Sequence, residues 1–344
     1  MKISRREFSM FLLAGMAGMH IPLLVRGRSK AKKPVIMTVN GPIKAEMAGT
    51  CLTHEHVLVD FSGADKINPN SWNIDQVISV VKPYLERVNW FGVQTFFDAT
   101  PAFLGRDPEL LMRLSMDTGV NIVTNTGYYG AQNNKYLPQH AFDDTVDQLA
   151  ERWIKEWKRG VDDTPIKPGF IKIGVDPGPL SDIHKKLVNA AALTHLQTGL
   201  TITSHTVGAG AAFEQLKLLN EKGVAAEAFV WIHAQEEKDL LKHVEAASKG
   251  AWISMDGVRE DNASNYVEML LNLKSNDLIH KALISHDAGW YSPGNDPGGF
   301  FTPYEAIFTT LIPQLRKKGF TLAETDRLLI QNPSTAFSIS VKKS

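Results

Sequence analysis

Between Val35 and Phe337, short apolar or β-branched runs alternate with longer stretches whose apolar residues recur at helical spacing. Eight of the runs read as strands: Gly49–Asp60, Gly92–Ala99, Val120–Asn125, Gly169–Val175, Leu200–Ser204, Ala228–His233, Ala251–Met255 and Ala282–Ser285. Continuous apolar runs of this length suit parallel strands covered by helices. Amphipathic stretches between them include 107–118, 145–159, 182–198 and 236–249. The first sets Leu110, Leu111, Leu114 and Met116 near helical spacing behind Asp107-Pro108, a helix start. Thr38–Ile43 reads TVNGPI, whose Asn-Gly between β-type residues predicts a hairpin ahead of the first strand. Eight strand–helix units favour an α/β fold, a single (β/α)₈ TIM barrel with an N-terminal β-hairpin and a C-terminal capping helix, over an open doubly wound sheet. No G-x-G-x-x-G follows the first strand and no Walker loop is present, so a nucleotide site has no support. No low-complexity tract or linker divides the chain from Val35 to Phe337, which implies one domain.

Composition changes this picture little. Of 344 residues, 43% are hydrophobic and 22% charged, with Lys+Arg 37 balancing Asp+Glu 37. The lack of a basic excess disfavours nucleic acid and anionic membrane as partners. Cys51 is the one cysteine, so no intramolecular disulfide forms. The opening, MKISRREFSMFLLAGMAGMH, does matter: Arg5-Arg6 precede Phe8 and the apolar run Met10–Met19. This pattern predicts a twin-arginine (Tat) export signal and linker over residues 1–33, a periplasmic or exported destination, and a hydrolase domain over 34–344. The competing reading is a cationic tail. The run is too short to cross a hydrocarbon layer of ~30 Å.

Candidate chemistry gathers at strand ends. His54 and His56 lie two apart in GTCLTHEH, so on a strand both project to one face while Glu55 points away. That pair alone does not separate metal ligands from satisfied polar groups. His205 closes TITSH, His233 closes AFVWIH and Asp287 follows the eighth strand in ALISHD, all at C-terminal strand ends where barrel enzymes place their chemistry. Lys172 sits between Ile171 and Ile173 on the fourth strand, where an unpaired buried cation is costly. Taken alone, it would snorkel to solvent. Beside two divalent cations, already in excess over Asp287 and a hydroxide, a protonated lysine adds repulsion. A CO₂-derived carbamate supplies the missing anion and favours a bridging role.

The chain resembles the phosphotriesterase family of the amidohydrolase superfamily, which includes the phosphotriesterase-like lactonases. The resemblance runs from Val39 to Phe337 on GTCLTHEH, the stretch TFFDATPAFLGRDPELLMRLSMDTGVNIVTNTGYYG, GFIKIGVD, SHTVGAG, ISHD and IQNPSTAF. It implies that His54, His56 and Asp287 hold the more buried metal and His205 and His233 the more exposed one. Carboxylated Lys172 and a hydroxide would bridge them. Zinc suits the set, as do Mn, Co or Fe. Asp287 would accept the proton released on attack.

The same resemblance places Tyr129 where lactonases carry a tyrosine beside the metals. One departure stands out: lactonases typically follow the aspartate after the seventh strand with arginine, whereas SMDGVRED puts Gly257 there and displaces the arginine to Arg259. Asp256 reads equally as part of a proton route or as a helix cap, and His286 as structural. In the loop 288–303, Trp290, Tyr291, Phe300 and Phe301 either form an apolar lid that binds substrate or pack on the rim. The reading is a binuclear metal-dependent hydrolase of a lactone or carboxylic ester. Its alternative is a phosphotriesterase (aryldialkylphosphatase), and a non-catalytic barrel binding protein stands behind both. A small-molecule substrate is the expected partner; a homodimer is compatible, but no segment marks an interface.

Overall fold

The computed structural model describes residues Lys33–Ser344 as one unit; the expected export signal and linker lie outside these residues, except Lys33. Val35–Thr38 and Gly41–Lys44 form the N-terminal hairpin, in antiparallel register from Val35↔Lys44 to Thr38↔Gly41. Its two-residue turn is therefore Val39-Asn40, one position before the expected Asn-Gly, because Gly41 is already paired.

The barrel strands follow as Thr50–Leu58, Val93–Asp98, Asn121–Val123 continued by Asn125–Thr126, Phe170–Gly174, Thr201–His205, Phe229–Ile232, Trp252–Asp256 and Ala282–Ser285. All neighbouring pairs are parallel, and the third strand, interrupted at Thr124, joins the two ladders into which the strands divide. This is the (β/α)₈ order that the pattern predicted. Register sets the strand ends level: Gly174 lies opposite His205, His205 opposite Ile232, and Asp256 opposite Ser285. The eighth strand runs beside the first, where Asp287 N–H donates to His54 O (3.0 Å) and His56 N–H to Ala288 O (2.9 Å).

Local chemistry explains the helices. Asp107 caps 108–118 by accepting from Leu110 N–H, and Gly119 ends it in a left-handed conformation (φ 73°) that glycine adopts without strain. Thr145 and Gln148 close a capping box at the head of 146–159. Met116 does not join Leu110, Leu111 and Leu114 in the core but is exposed, since the buried face runs through positions 110, 111, 114, 115 and 118. The helix expected over 236–249 is shorter, Leu240–Ser248, after a separate 3₁₀ turn at Ala234–Glu236. Helices Ile74–Trp90, Asp182–Thr198, Ala209–Glu221 and Ala263–Ser275 also lie in the outer layer.

Inside the strands, a floor of Cys51, Phe97, Val123, Phe170, Val230, Trp252 and Leu283 packs together with Ile36 of the hairpin. Phe337, directly after the last helix Asn332–Ala336, plugs this floor with its ring 4.3 Å from Phe97 and 5.8 Å from Phe170. The expected capping helix thus seals the end opposite the strand C-termini and leaves the chemistry to the other mouth. Phe337→Ala should cost about 3–5 kcal/mol through the cavity it opens. Urea denaturation would measure this, and a loss under about 1 kcal/mol, near the effect of an ordinary surface change, would exclude the plug role.

Candidate metal centre

Alternation along the first strand aims His54 and His56 into the mouth, as their spacing predicted. His54 Nε2 and His56 Nε2 lie 3.6 Å and 3.0 Å from Asp287 Oδ1. These three offer ligand atoms close enough to share one ion. Lys172 Nζ sits 3.2 Å from His54 Nε2 with its side chain almost wholly buried. His233 stands 5.2 Å from His54 between ring centroids, and His205 is 4.4 Å from His233. All six predicted ligands border one cavity of about 180 Å³, with Tyr129 and Trp290 in its wall. A wider hollow, about 650 Å³, lies on the outer wall among Phe213, Leu216, Lys249 and Ser344 and carries none of these groups.

The electrostatics favour neutral ligands. Burial pushes His54 down to about 4, assisted by Lys172, and holds His205 well below the usual imidazole value. Each therefore presents a lone pair at neutral pH. Burial also opposes the cation of His233, but Asp256 outweighs it and raises that group. Burial lowers Lys172 to about 8, which leaves part of its amine unprotonated near neutrality. Asp287 stays well below the usual carboxylate range despite burial, because His54 and His56 face it.

Backbone strain marks the same residues. His233 (φ 63°) and Asp287 (φ 48°) are left-handed, a conformation that costs a non-glycine residue on the order of 1–3 kcal/mol. The donor set, four imidazoles, a carboxylate and a buried lysine in a small cavity, fits a pair of divalent cations of borderline softness.

Two carboxylates behind these groups carry more than their sequence positions suggested. Asp256, fully buried, lies 2.5 Å from His233 Nδ1 and 3.1 Å from His54 Nδ1, the latter off the line of a hydrogen bond. It turns both rings so that their Nε2 edges face away from it, the usual task of a carboxylate behind metal-bound histidines. Its Oδ2 also accepts from Ser254 Oγ–H at 2.7 Å, and the following helix Ala263–Ser275 has Asn262 at its N-cap, so the helix-cap reading of Asp256 does not hold. His54 and His233 with Asp256 form a second close group, but through the Nδ1 atoms. Glu55 does point away from the mouth, as alternation requires, yet its carboxylate collects donors from Ser285, His286 and Ala288. Sequence offered no signal for either partner set.

His56 is oriented from another side. Its Nδ1 meets Thr100 Oγ1 at 2.7 Å, and Asn125 Nδ2 donates to the carbonyls of Asp98 and Thr100. Arg106, buried, donates to Asn125 O and forks onto Glu156 and Asp162, which pins the second and third strand ends together.

The aromatic residues divide. Tyr129 is buried in the cavity wall with its ring 5.0 Å from His205, whereas Tyr128 accepts or donates at His140 Nε2 and packs away from the mouth. In the 288–303 loop, Gly289–Tyr291 forms a short strand against the first, and Gly289 and Thr302 exchange backbone hydrogen bonds at the loop base. Tyr291 and Phe301 pack inward, Phe300 is 87% exposed, and Trp290 (φ 74°) lines the cavity edge-on to His56 and Phe61. Rim packing thus describes Tyr291 and Phe301, while Trp290 borders the cavity. Arg259 is exposed and outside the cavity wall. His286 bonds Glu55, which fits its structural reading, and His184, His195 and His243 bond backbone carbonyls away from the cavity.

A family model described as "Phosphotriesterase family" matches residues 34–337. The phosphotriesterase homology protein of Escherichia coli is 30% identical over 84% of this chain and 98% of its own length. An aryldialkylphosphatase of Saccharolobus solfataricus is 28% identical over 86% and 97%, and an N-acetyltaurine hydrolase of Xenopus tropicalis 26% over 87% and 96%. The crystal structure of the E. coli homology protein, complexed with phosphate in its active site, superposes with a TM-score of 0.74 at 28% identity, over 85% of this chain and 99% of that one. On sequence and fold together, the chain belongs to the phosphotriesterase family.

Proposed function

We propose that this chain is a metal-dependent hydrolase whose first substrates are uncharged lactones or carboxylic esters. The observation that carries the reading is the convergence of His54, His56, Lys172, His205, His233 and Asp287 on a small cavity walled by Tyr129, Leu104, Phe61 and Trp290. Two divalent ions, zinc first, would lower the pKa of a water held between them and polarise the oxygen under attack. His54, His56 and Asp287 would hold one, His205 and His233 the other. Lys172 would join them as a carbamate, its unprotonated amine adding to CO₂ and releasing one proton. Asp287 accepts the proton of the attacking water, and Tyr129 donates to the substrate oxygen on which charge develops.

The cavity supports a neutral substrate. Apart from Lys172, which belongs to the centre, no lysine or arginine lines it. An anionic amide such as N-acetyltaurine would find no further positive partner for its sulfonate. Aryldialkyl phosphates remain the second reading because an S. solfataricus relative bears that activity in its name. A planar ester presents two substituents and a phosphotriester three, so a space of about 180 Å³ favours the former.

Asp287→Asn should lower kcat roughly a thousandfold with KM little changed, the range for loss of a general base; a near-normal kcat in steady-state assays would sink its role. Metal-free protein should take up zinc more slowly from CO₂-depleted buffer, and Lys172→Ala should abolish that dependence, both read by atomic absorption. On a long-chain acyl lactone and an aryl dialkyl phosphate, the ratio of kcat/KM should favour the lactone by ~100-fold, about 2.7 kcal/mol. Tyr129→Phe should shrink that ratio, and a preference for the phosphate would reverse the order of the two readings.

A further inference from the structure

Asp287 leaves the eighth strand in a left-handed turn, so the ladder that would normally absorb its neighbours' N–H groups stops there. Buried N–H groups must nevertheless find acceptors. Those of His286, Asp287 and Ala288 all go to the first strand: to Glu55 Oε1 (2.9 Å), His54 O (3.0 Å) and Glu55 Oε2 (3.1 Å). Glu55 Oε1 also accepts from Ser285 Oγ–H and from His286 Nδ1–H, each at 2.7 Å. Ser285 Oγ in turn accepts from His54 N–H at 2.9 Å. The tautomer of His286 is fixed because its Nε2 accepts from Ile307 N–H at 3.1 Å, which leaves the proton on Nδ1. Glu55 has no exposure, and nothing in the hydrolytic mechanism uses it.

We propose that Glu55 is a positioning residue: it presets the distance between Asp287 and the His54/His56 pair, and so the affinity of that half of the metal centre. The proposal rests on the reading that these residues hold a metal. Two ligands and their clamp lie on consecutive residues of one strand, and the third ligand is a strained residue that four hydrogen bonds to Glu55 hold from both flanks. Glu55 makes no hydrogen bond to the His205/His233 half; His233 Nδ1 is held by Asp256, which also reaches His54 Nδ1 but touches neither His56 nor the 286–288 turn. Loss of Glu55 should therefore act on one half and spare the other.

The test is a Co²⁺ titration of metal-free protein, followed by visible absorption and chelator competition, on wild type, Glu55→Gln, Glu55→Ala and Ser285→Ala. Wild type should bind two equivalents. In the variants one equivalent should weaken by about 10–100-fold while the other keeps its wild-type affinity. Gln, which keeps one acceptor oxygen for the three-donor cluster, should be milder than Ala. On a substrate that wild type hydrolyses, kcat should fall with KM unchanged. Ser285→Ala, which removes one donor to Glu55 together with the acceptor of His54 N–H and leaves the carboxylate in place, keeps the test open if the Glu55 variants fail to fold. Equal weakening of both equivalents, or a lower melting temperature of the metal-free protein with both affinities intact, would overturn the proposal by making Glu55 a general structural carboxylate. Failure of wild type to bind Co²⁺ would instead overturn the metal centre itself, and the positioning role with it.

Discussion

A backbone that turns left-handed at Asp287 has to be held there, because unaided it would relax into a form that moves the carboxylate. The first strand supplies the restraint with a carbonyl and a carboxylate, His54 O and Glu55. The same contact brings the eighth strand against the first, so the seam of the (β/α)₈ arrangement and the assembly of its chemical groups are one structural event. Gly289 belongs to this seam: it passes so close to His56 O that a Cβ there would overlap it, and its positive φ (99°) suits glycine. Trp290, left-handed like Asp287, is then carried to the cavity edge.

Outward from the seam, restraint passes through polar groups buried behind the mouth. Asp256 sets the rings of His54 and His233, Thr100 sets His56, and the Arg106 cluster fixes the strand ends that carry Thr100 and Asn125. Buried carboxylates of this kind contribute less to net stability than their contacts suggest, since desolvation offsets much of the Coulombic gain. Their yield is geometric. The apolar floor beneath, closed by Phe337, supplies the stability that such a polar layer does not.

The division between floor and mouth also separates what a substrate meets. Side chains of the wall are apolar or aromatic apart from Gln132, while all the charge lies at the base. On the proposed reading a neutral ester would lose little hydration there, whereas an anion would meet no lysine or arginine in the wall beyond Lys172. Selectivity on this view comes from the loops: Phe61 after the first strand, Gln132 after the third and Trp290 after the eighth.

The six candidate ligands were legible in the sequence because a local rule governs them. Period-two alternation decides that His54 and His56 share a face, and the ends of parallel strands converge on one mouth whatever their separation along the chain. The strands themselves were legible for the same reason, as apolar runs bounded by helical spacing. Local rules also set which way Glu55 points, but not what waits there. Its donors come from residues 285–288, and Asp256 meets a histidine more than two hundred positions away. Whether Met116 is buried, where the hairpin turns, and which aromatic residue of the 288–303 loop reaches the cavity likewise depended on neighbours brought in by the fold. Sequence by itself determined the chemical identity of the groups and the face each occupies. Only tertiary structure decided their partners, because a hydrogen bond or a packing contact needs a second surface, and the chain's periodicity carries no information about which one arrives.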